Sequence, residues 1–369
     1  MTRRELNLAI FEGTADKVLW QPRLETWIYH HGNHGTLPER FRNMTLLEIY
    51  DKLGCSVRYA ACAGLEFYCE PTDIERFSED PDRDHHVDGI RIPEGELRTV
   101  HRRAWRGEEV INDRIEEFPV KTVDDLRVLT ALVERRRFRG NPESFEKAEA
   151  AVGHRAEPTV FCSSDGFTDL IKLWSGLENA CYLLADHPAE VDAYVDACNR
   201  SDDRLLDAVF DLPCRLFNLG DHTTNEFTPP PIVERYCLSR WQKISRRMTE
   251  NGRFVHSHWD GHSRQILPYL KPSGLHAVEA LTPEPMGDMT LEMIKAAVGD
   301  EMVVLDLIPA IFFLPSYPMQ EVLEFTSRVI DMFAPRLILG VSDEISQVGE
   351  IEKIEAISEL VDKTCGLAT

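Results

Sequence analysis

A TIM (β/α)8 barrel, carrying an N-terminal extension and a hairpin-and-helix insertion, is the α/β fold this sequence predicts. Three observations carry the prediction. From about residue 158 onward, short apolar runs alternate with long helical periods, the pattern of parallel strands joined by right-handed helical crossovers. With a strand at 18–23 and a further one near Ser56 or Leu65, about eight strand–helix units are available, the number a closed barrel needs. No GxGxxG follows an early strand, which lowers the rival open, doubly wound sheet.

The elements follow in order. Val18-Leu19-Trp20-Gln21-Pro22-Arg23 is strand-like and precedes a polar loop with His30, His31 and His34, which line a substrate mouth or face water. Leu46, Leu47, Ile49, Tyr50 and Leu53 recur at helical spacing, and Gly54 stops that helix. Residues 76–155 are highly charged and read as an insertion or cap within a single domain spanning 1–369. Inside it, 95–107 followed by 108–112 reads as an exposed hairpin and 123–137 as a helix. Arg135-Arg136-Arg137-Phe138-Arg139 fits an exposed helix end, and Asp84-His85-His86 a solvent-facing loop. Beyond them the predicted strands are 159–162, 215–219, 253–258, 275–280, 302–305 and 337–341; the clearest helices are 231–249, 290–298, 320–333 and 349–362.

Composition narrows the function classes. Asp and Glu number 63 against 41 Lys and Arg, a net charge of -22, which argues against phosphate backbones and anionic membrane surfaces as partners. No apolar run reaches the roughly 18 residues of a membrane span. No apolar segment of the signal-peptide kind follows Met1-Thr2-Arg3-Arg4-Glu5, so the cytoplasm is the expected compartment. Nine cysteines without a CxxC pair fit reduced, buried thiols.

Barrel chemistry sits at the carboxyl ends of the strands, so the residues leaving each apolar run matter. After 159–162 comes Ser163-Ser164-Asp165-Gly166, and after 215–219 comes Gly220-Asp221-His222. The strand at 253 ends in His256 and His258, the next in Glu279, and the last two lead to Asp306 and to Asp343-Glu344. Strand alternation places Phe254, His256 and His258 on one face, and Leu275, Ala277 and Glu279 likewise on one face. Two imidazoles converging from one strand make half of a metal site. Glu279 and Asp343, with Glu344 as the substitute for Asp343, are the carboxylates expected to complete it. Strand-end polar residues also cap helices, and Asp288 before Met289-Thr290-Leu291 fits that role. No GxSxG and no sequence-adjacent Cys–His pair supports covalent catalysis.

In their order along the chain, Leu19-Trp20-Gln21-Pro22-Arg23, Gly35-Thr36-Leu37-Pro38-Glu39, the stretch 161–166, Gly220-Asp221, His256-Ser257-His258-Trp259-Asp260-Gly261 and the stretch 337–343 resemble the uroporphyrinogen decarboxylase superfamily. The resemblance covers nearly the whole chain and implies a TIM barrel. Residues 92–126, closing with Phe118-Pro119-Val120-Lys121-Thr122-Val123-Asp124-Asp125-Leu126, are more similar to its cobalamin-dependent methyltransferase branch. In that branch zinc is held by a His-x-Cys pair, a later Cys and, in some members, a Glu. This sequence has His256 and His258 at the first two positions, Glu279 further on and Asp343 at the last. Nitrogen and oxygen donors leave a harder metal than thiolates do, which suits an oxygen-bearing substrate.

The resemblance therefore implies the substrate methyltransferase of an O-demethylase, moving methyl from a methyl ether, aromatic ethers included, to the Co(I) cobalamin of a separate corrinoid protein. Zinc would act as a Lewis acid. Asp221, His222 or Asp165 would donate a proton or position the substrate, Arg23 and Trp259 would touch it, and residues 76–155 would dock the corrinoid protein. Three rivals stand beside this reading. The cofactor-free decarboxylases hold a polycarboxylate with arginines, but here Arg23 is followed by Leu24-Glu25-Thr26-Trp27 where that branch has a second arginine and Gly-Arg-Tyr. Metal hydrolases of the amidohydrolase type carry their HxH on the first strand, not this far along the chain. A non-catalytic corrinoid-binding protein would keep the barrel without turnover. Arg23 equally fits a strand-end salt bridge.

Overall fold

The structure, a computed structural model, describes residues 1–58, 64–70, 73–162 and 164–365. In chain order its strands are β1 (Leu19–Trp20), β2 (Leu65–Cys69), β3 (Glu75–Glu79), β4 (His85–Ile92), β5 (Gly95–Arg106), β6 (Glu109–Glu117), β7 (Arg136–Gly140), β8 (Thr159–Cys162), β9 (Leu216–Thr223), β10 (Phe254–Trp259), β11 (Ala277–Glu279), β12 (Val303–Pro309) and β13 (Leu337–Ser342). The chain forms two compact units, one of Met1–Gly64, Asn141–Cys162 and Leu212–Thr369, the other of Leu65–Gly140 and Ser163–Asp211.

The first unit holds the predicted barrel. Seven parallel strands run in the order β1-β13-β12-β11-β10-β9-β8, curled as in a TIM barrel. Every residue of β12 and β13 is buried, because a parallel strand is covered on both faces and must be apolar on both. Neither position offered for the eighth strand joins this sheet, although Ser56 runs beside β1. The Ser56 amide donates to the Trp20 carbonyl (2.8 Å), and its Oγ to the Arg155 carbonyl (2.7 Å) just before β8. Leu65 pairs with β7 in the other unit.

The helix Arg3–Glu12 is absent from the sequence reading, although Thr2 and Glu5 form a capping box at its start. Its Leu6, Ile10 and Phe11 pack with Leu19, Leu216, Ala277, Val303 and Ile338, all near the starts of their strands. Burial against this helix closes the amino end of the barrel and leaves the carboxyl end for chemistry. His30, His31 and His34, expected in a loop, lie on the helix Glu25–His34. There His30 and His34 stack at 4.3 Å, and His31 Nε2 lies 2.9 Å from the Gln347 carbonyl. Asp288 does not cap Leu291–Val298: Thr290, in extended conformation, accepts from the Met293 amide. Asp288 accepts instead from the Ser263 and Arg264 amides. Among the described residues no helix is long and apolar enough to cross a membrane.

The second unit is built on an antiparallel sheet in the order β3-β4-β5-β6 and the pair β2–β7. The expected hairpin is β5 with β6, turning at Gly107, where φ is +62°. The arginine run is not an exposed helix end. The helix stops at Glu134, and residues 136–140 form β7 opposite β2, setting Arg139 beside Glu66 and Arg137 beside Glu70. The unit also differs from the expected insertion 76–155. Residues 141–155, with the helix Pro142–Val152, belong to the barrel unit, where Arg155 is paired with Asp51 at 2.6 Å. The long helix Pro188–Phe210, for which the sequence reading offers no element, belongs to the second unit.

Candidate metal centre

β10 lies between β9 and β11, so His256 is in register with Asn218 and Ala277, and His258 with Glu279. The predicted alternation holds: His256 and His258 both reach Glu279, one on each carboxylate oxygen. His258 Nδ1 stands 2.8 Å from Oε1, and His256 Nδ1 stands 3.2 Å from Oε2. Asn218 Nδ2 donates to Oε1 (3.0 Å), and Arg58 Nη1 donates to Oε2 (3.5 Å). Glu279 is buried, which opposes its charge; attraction to His256 and hydrogen bonds from both imidazoles outweigh burial and hold the carboxyl well below its ordinary range.

An ionised carboxylate only accepts, so the Nδ1 of His258 carries its proton toward Glu279 and Nε2 faces the other way. On that side stands Asp260, its Oδ2 3.7 Å from His258 Nε2 and 3.2 Å from His222 Nδ1. The two imidazoles lie nearly parallel, 14° apart, with ring centroids at 6.3 Å. One ligand atom each from His222, His258 and Asp260 lies within 4.8 Å of the others. Burial works against the charge on His258, but hydrogen bonds to Asp260 and Glu279 overcome it and push the imidazole up to about 10. Two carboxylates facing one imidazole make a place that favours a cation, and two nitrogens with one oxygen suit zinc.

The expected quartet of His256, His258, Glu279 and Asp343 is thus rearranged. His258 joins the three-residue group, while Glu279 lies behind His258 as its hydrogen-bond acceptor. His256 is deeper, only 2% exposed. Asp343 leaves the end of β13 with φ +75° and pairs with Arg23 Nη1 (2.6 Å), while Glu344 takes Nη2 (2.8 Å). Arg23 is therefore a strand-end salt bridge, and both acidic residues after β13 are engaged by it.

Asp221 and His222 are neighbours on β9 and so face opposite ways. His222 belongs to the three-residue group with His258 and Asp260. Asp221, fully buried, accepts from Trp241 Nε1 (2.9 Å), Ser257 Oγ (2.8 Å) and Arg240 Nη1 (3.2 Å), tying the helix Leu238–Glu250 to the sheet. Trp259 is on that same helix-covered side. It is 0% exposed, donates to Ser257 Oγ (3.0 Å) and packs 5.1 Å from Trp241, so it is core rather than a substrate contact. Asp165 belongs to the second unit and caps the helix Gly166–Asp169 by accepting from the Thr168 amide (2.9 Å); Ser163 before it lies outside the described residues.

Sequence reasoning passed over Asp260, Asn218 and Arg58. Asn218 had a usable signal, since it shares the strand parity of His222. Ser257 pairs with Leu219 but Trp259 with Thr223, so β9 carries two extra residues at the level of His222, and Asp260 stands just past the end of β10; nothing local announces either.

No family model matches the chain, and no curated protein matches it. Among solved structures it is similar to a methyltransferase from Methanosarcina mazei, at 15% identity over 99% of both chains with a TM-score of 0.59. It is also similar to a B12-independent methionine synthase from a Shewanella species, in complex with selenomethionine, at 12% identity over 95% of this chain and 98% of that one, with a TM-score of 0.45. The first likeness runs end to end and is a shared fold.

Proposed function

We propose that this chain is a methyltransferase that removes methyl from a methyl ether, aromatic ethers included, and passes it to the Co(I) cobalamin of a separate corrinoid protein. The observation that carries the proposal is the group of His222, His258 and Asp260 at the carboxyl ends of adjacent barrel strands, a set of nitrogen and oxygen donors. The end-to-end likeness in fold to a methyltransferase supports the reaction class. These three residues would hold zinc, and three protein donors leave room for an oxygen of the substrate in a tetrahedral shell. When bound, zinc supplies Lewis acidity that lets an alkoxide or phenoxide leave more readily.

The chain's own groups prepare that site. Glu279 keeps a proton on Nδ1 of His258, so Nε2, which faces Asp260, is the nitrogen that would give up its proton to the metal. Asp260 faces both imidazoles and balances positive charge there. In the reaction the ether C–O bond breaks with its electron pair on oxygen, and the methyl carbon takes the electron pair of Co(I). The charged stretch 76–155 would dock the corrinoid protein.

Metal analysis is the first test: about one zinc per chain is expected, and less than about 0.1 equivalent after zinc is offered at a pH where free histidines are neutral would overturn the metal reading. The second mixes the zinc protein with a Co(I) corrinoid protein and a panel of methoxyarenes and follows the visible spectrum. Methyl–cobalt formation is expected. No spectral change across the panel would overturn demethylation.

A further inference from the structure

Behind the metal group lies a buried arrangement that the proposed reaction does not use directly. Asp306, in the middle of β12, is fully buried, and its backbone is left-handed (φ +82°), as is that of Leu307 (φ +77°). The strand still pairs regularly with β13 through these positions, Asp306 opposite Leu339 and Leu307 opposite Gly340. Ala280, directly after Glu279, is left-handed too (φ +65°). Residues with a Cβ rarely adopt this conformation unless the surroundings impose it.

The two unusual segments meet in one hydrogen bond, from the Ala280 amide to Asp306 Oδ2 (3.1 Å). The same carboxylate takes both terminal nitrogens of Arg58, Nη1 at 2.8 Å and Nη2 at 2.7 Å. Arg58 Nη1 in turn reaches Glu279 Oε2, and Arg58 Nε donates to Gln21 Oε1 (3.0 Å). Asp306 thereby holds Glu279 twice, through the main chain of the next residue and through the guanidinium on its carboxylate. The neighbouring strand makes room for it: a Cβ on Gly340 would stand 2.4 Å from Asp306 Oδ1.

We infer that Asp306 and Arg58 are positioning residues, which fix Glu279 and through it the orientation of His258 in the metal group. The inference rests on the proposed reading of His258, and its physical basis is general. A metal-ligating histidine is oriented by the carboxylate on its other nitrogen, and that carboxylate must itself be held. Arg58 offers Asp306 a bidentate pair that resists rotation, and the left-handed backbone at Asp306 aims its carboxylate at both the Ala280 amide and Arg58.

Two variants test this, Asp306→Asn and Gly340→Ala. The first removes the charge that faces Arg58; the second keeps every charged group and displaces the Asp306 carboxylate sterically. Zinc affinity by chelator competition and the solvent-exchange rate of the His258 Nδ1 proton, followed by NMR in zinc-free protein with labelled histidine, are the readouts. Zinc affinity is expected to fall by roughly ten- to a hundredfold, the usual effect of losing outer support, with a faster-exchanging proton in both variants. A purely structural role would lower the unfolding temperature and leave both readouts as in the wild type, and that result would overturn the inference. Should Asp306→Asn fail to fold, Gly340→Ala decides alone. If the wild-type protein binds no zinc, the metal reading fails by itself, and proton exchange still decides whether Asp306 positions His258.

Discussion

Replacing Glu279 by glutamine separates the structural role of this residue from the ligand role that the sequence suggested. The carboxylate faces four nitrogens: His258 Nδ1 and Asn218 Nδ2 on Oε1, His256 Nδ1 and Arg58 Nη1 on Oε2. Glutamine has the same shape but one acceptor oxygen. Whichever way the amide turns, its NH2 meets two groups that were donating, and the negative charge opposite the imidazoles is gone. A carboxylate acting behind a ligating histidine is worth about ten- to a hundredfold in metal affinity, or roughly 1.4 to 2.7 kcal/mol. Zinc titration against a competing chelator is the assay, with His258→Gln beside it as the variant that removes a donor outright. Glu279→Gln should retain measurable zinc binding and His258→Gln should lose far more. Equal loss in the two would make Glu279 a ligand and refute the reasoning, as would wild-type affinity in Glu279→Gln. The pH dependence has a definite sign. Because the folded-state carboxyl is held well below 4.5, its stabilisation is present above that value and lost as pH falls through the folded-state pKa. The stability gap between wild type and Glu279→Gln should therefore be widest near neutrality and narrow in acid.

Further outcomes follow from the same geometry. Asp343→Asn should leave zinc affinity within about twofold and cost at most about 1 kcal/mol, since its carboxylate is 54% exposed and pairs with Arg23 at the surface; titration and thermal unfolding measure both. Asp221→Asn should cost about 3 kcal/mol in urea unfolding, because it weakens a fully buried carboxylate shared by Arg240, Trp241 and Ser257, again with zinc affinity retained. Asp169 is raised by burial, despite a hydrogen bond from Ser164, to about 7. The native state therefore holds a proton that the unfolded chain releases, so stability falls as pH rises from about 4 to about 7. Asp169→Asn should be more stable than wild type above pH 7, by up to about 4 kcal/mol, and urea midpoints across that range would expose a flat difference if the argument is wrong.

Local rules carried the sequence reading a long way. Period-two alternation is a property of one strand, so the common face of His256 and His258 was readable from five residues of chain. The runs at 159–162 and 337–341 were readable because parallel strands are apolar on both faces. Period-two alternation, applied to β9 and to β10, separates His222 from Asp221 and Trp259 from His258, pairs that proximity in the chain puts together. Helices such as Arg3–Glu12 and Glu25–His34 escaped because their buried faces are short: the first includes the polar Asn7, and the second buries only Trp27 and Ile28.

What the amino-acid sequence determined by itself was the barrel, its polar carboxyl end and the two-imidazole face of β10, all set by hydrophobic period and strand parity. Tertiary structure alone decided which carboxylate answers which imidazole. Asp343 stood as near in chain pattern as any candidate, but Arg23, 320 residues away, claims it. Glu279 faces His258 from behind because Asp306, Arg58 and Asn218 hold it there. Such choices depend on distances between separate strands and on competition among buried charges for the few partners within reach. A one-dimensional pattern contains neither.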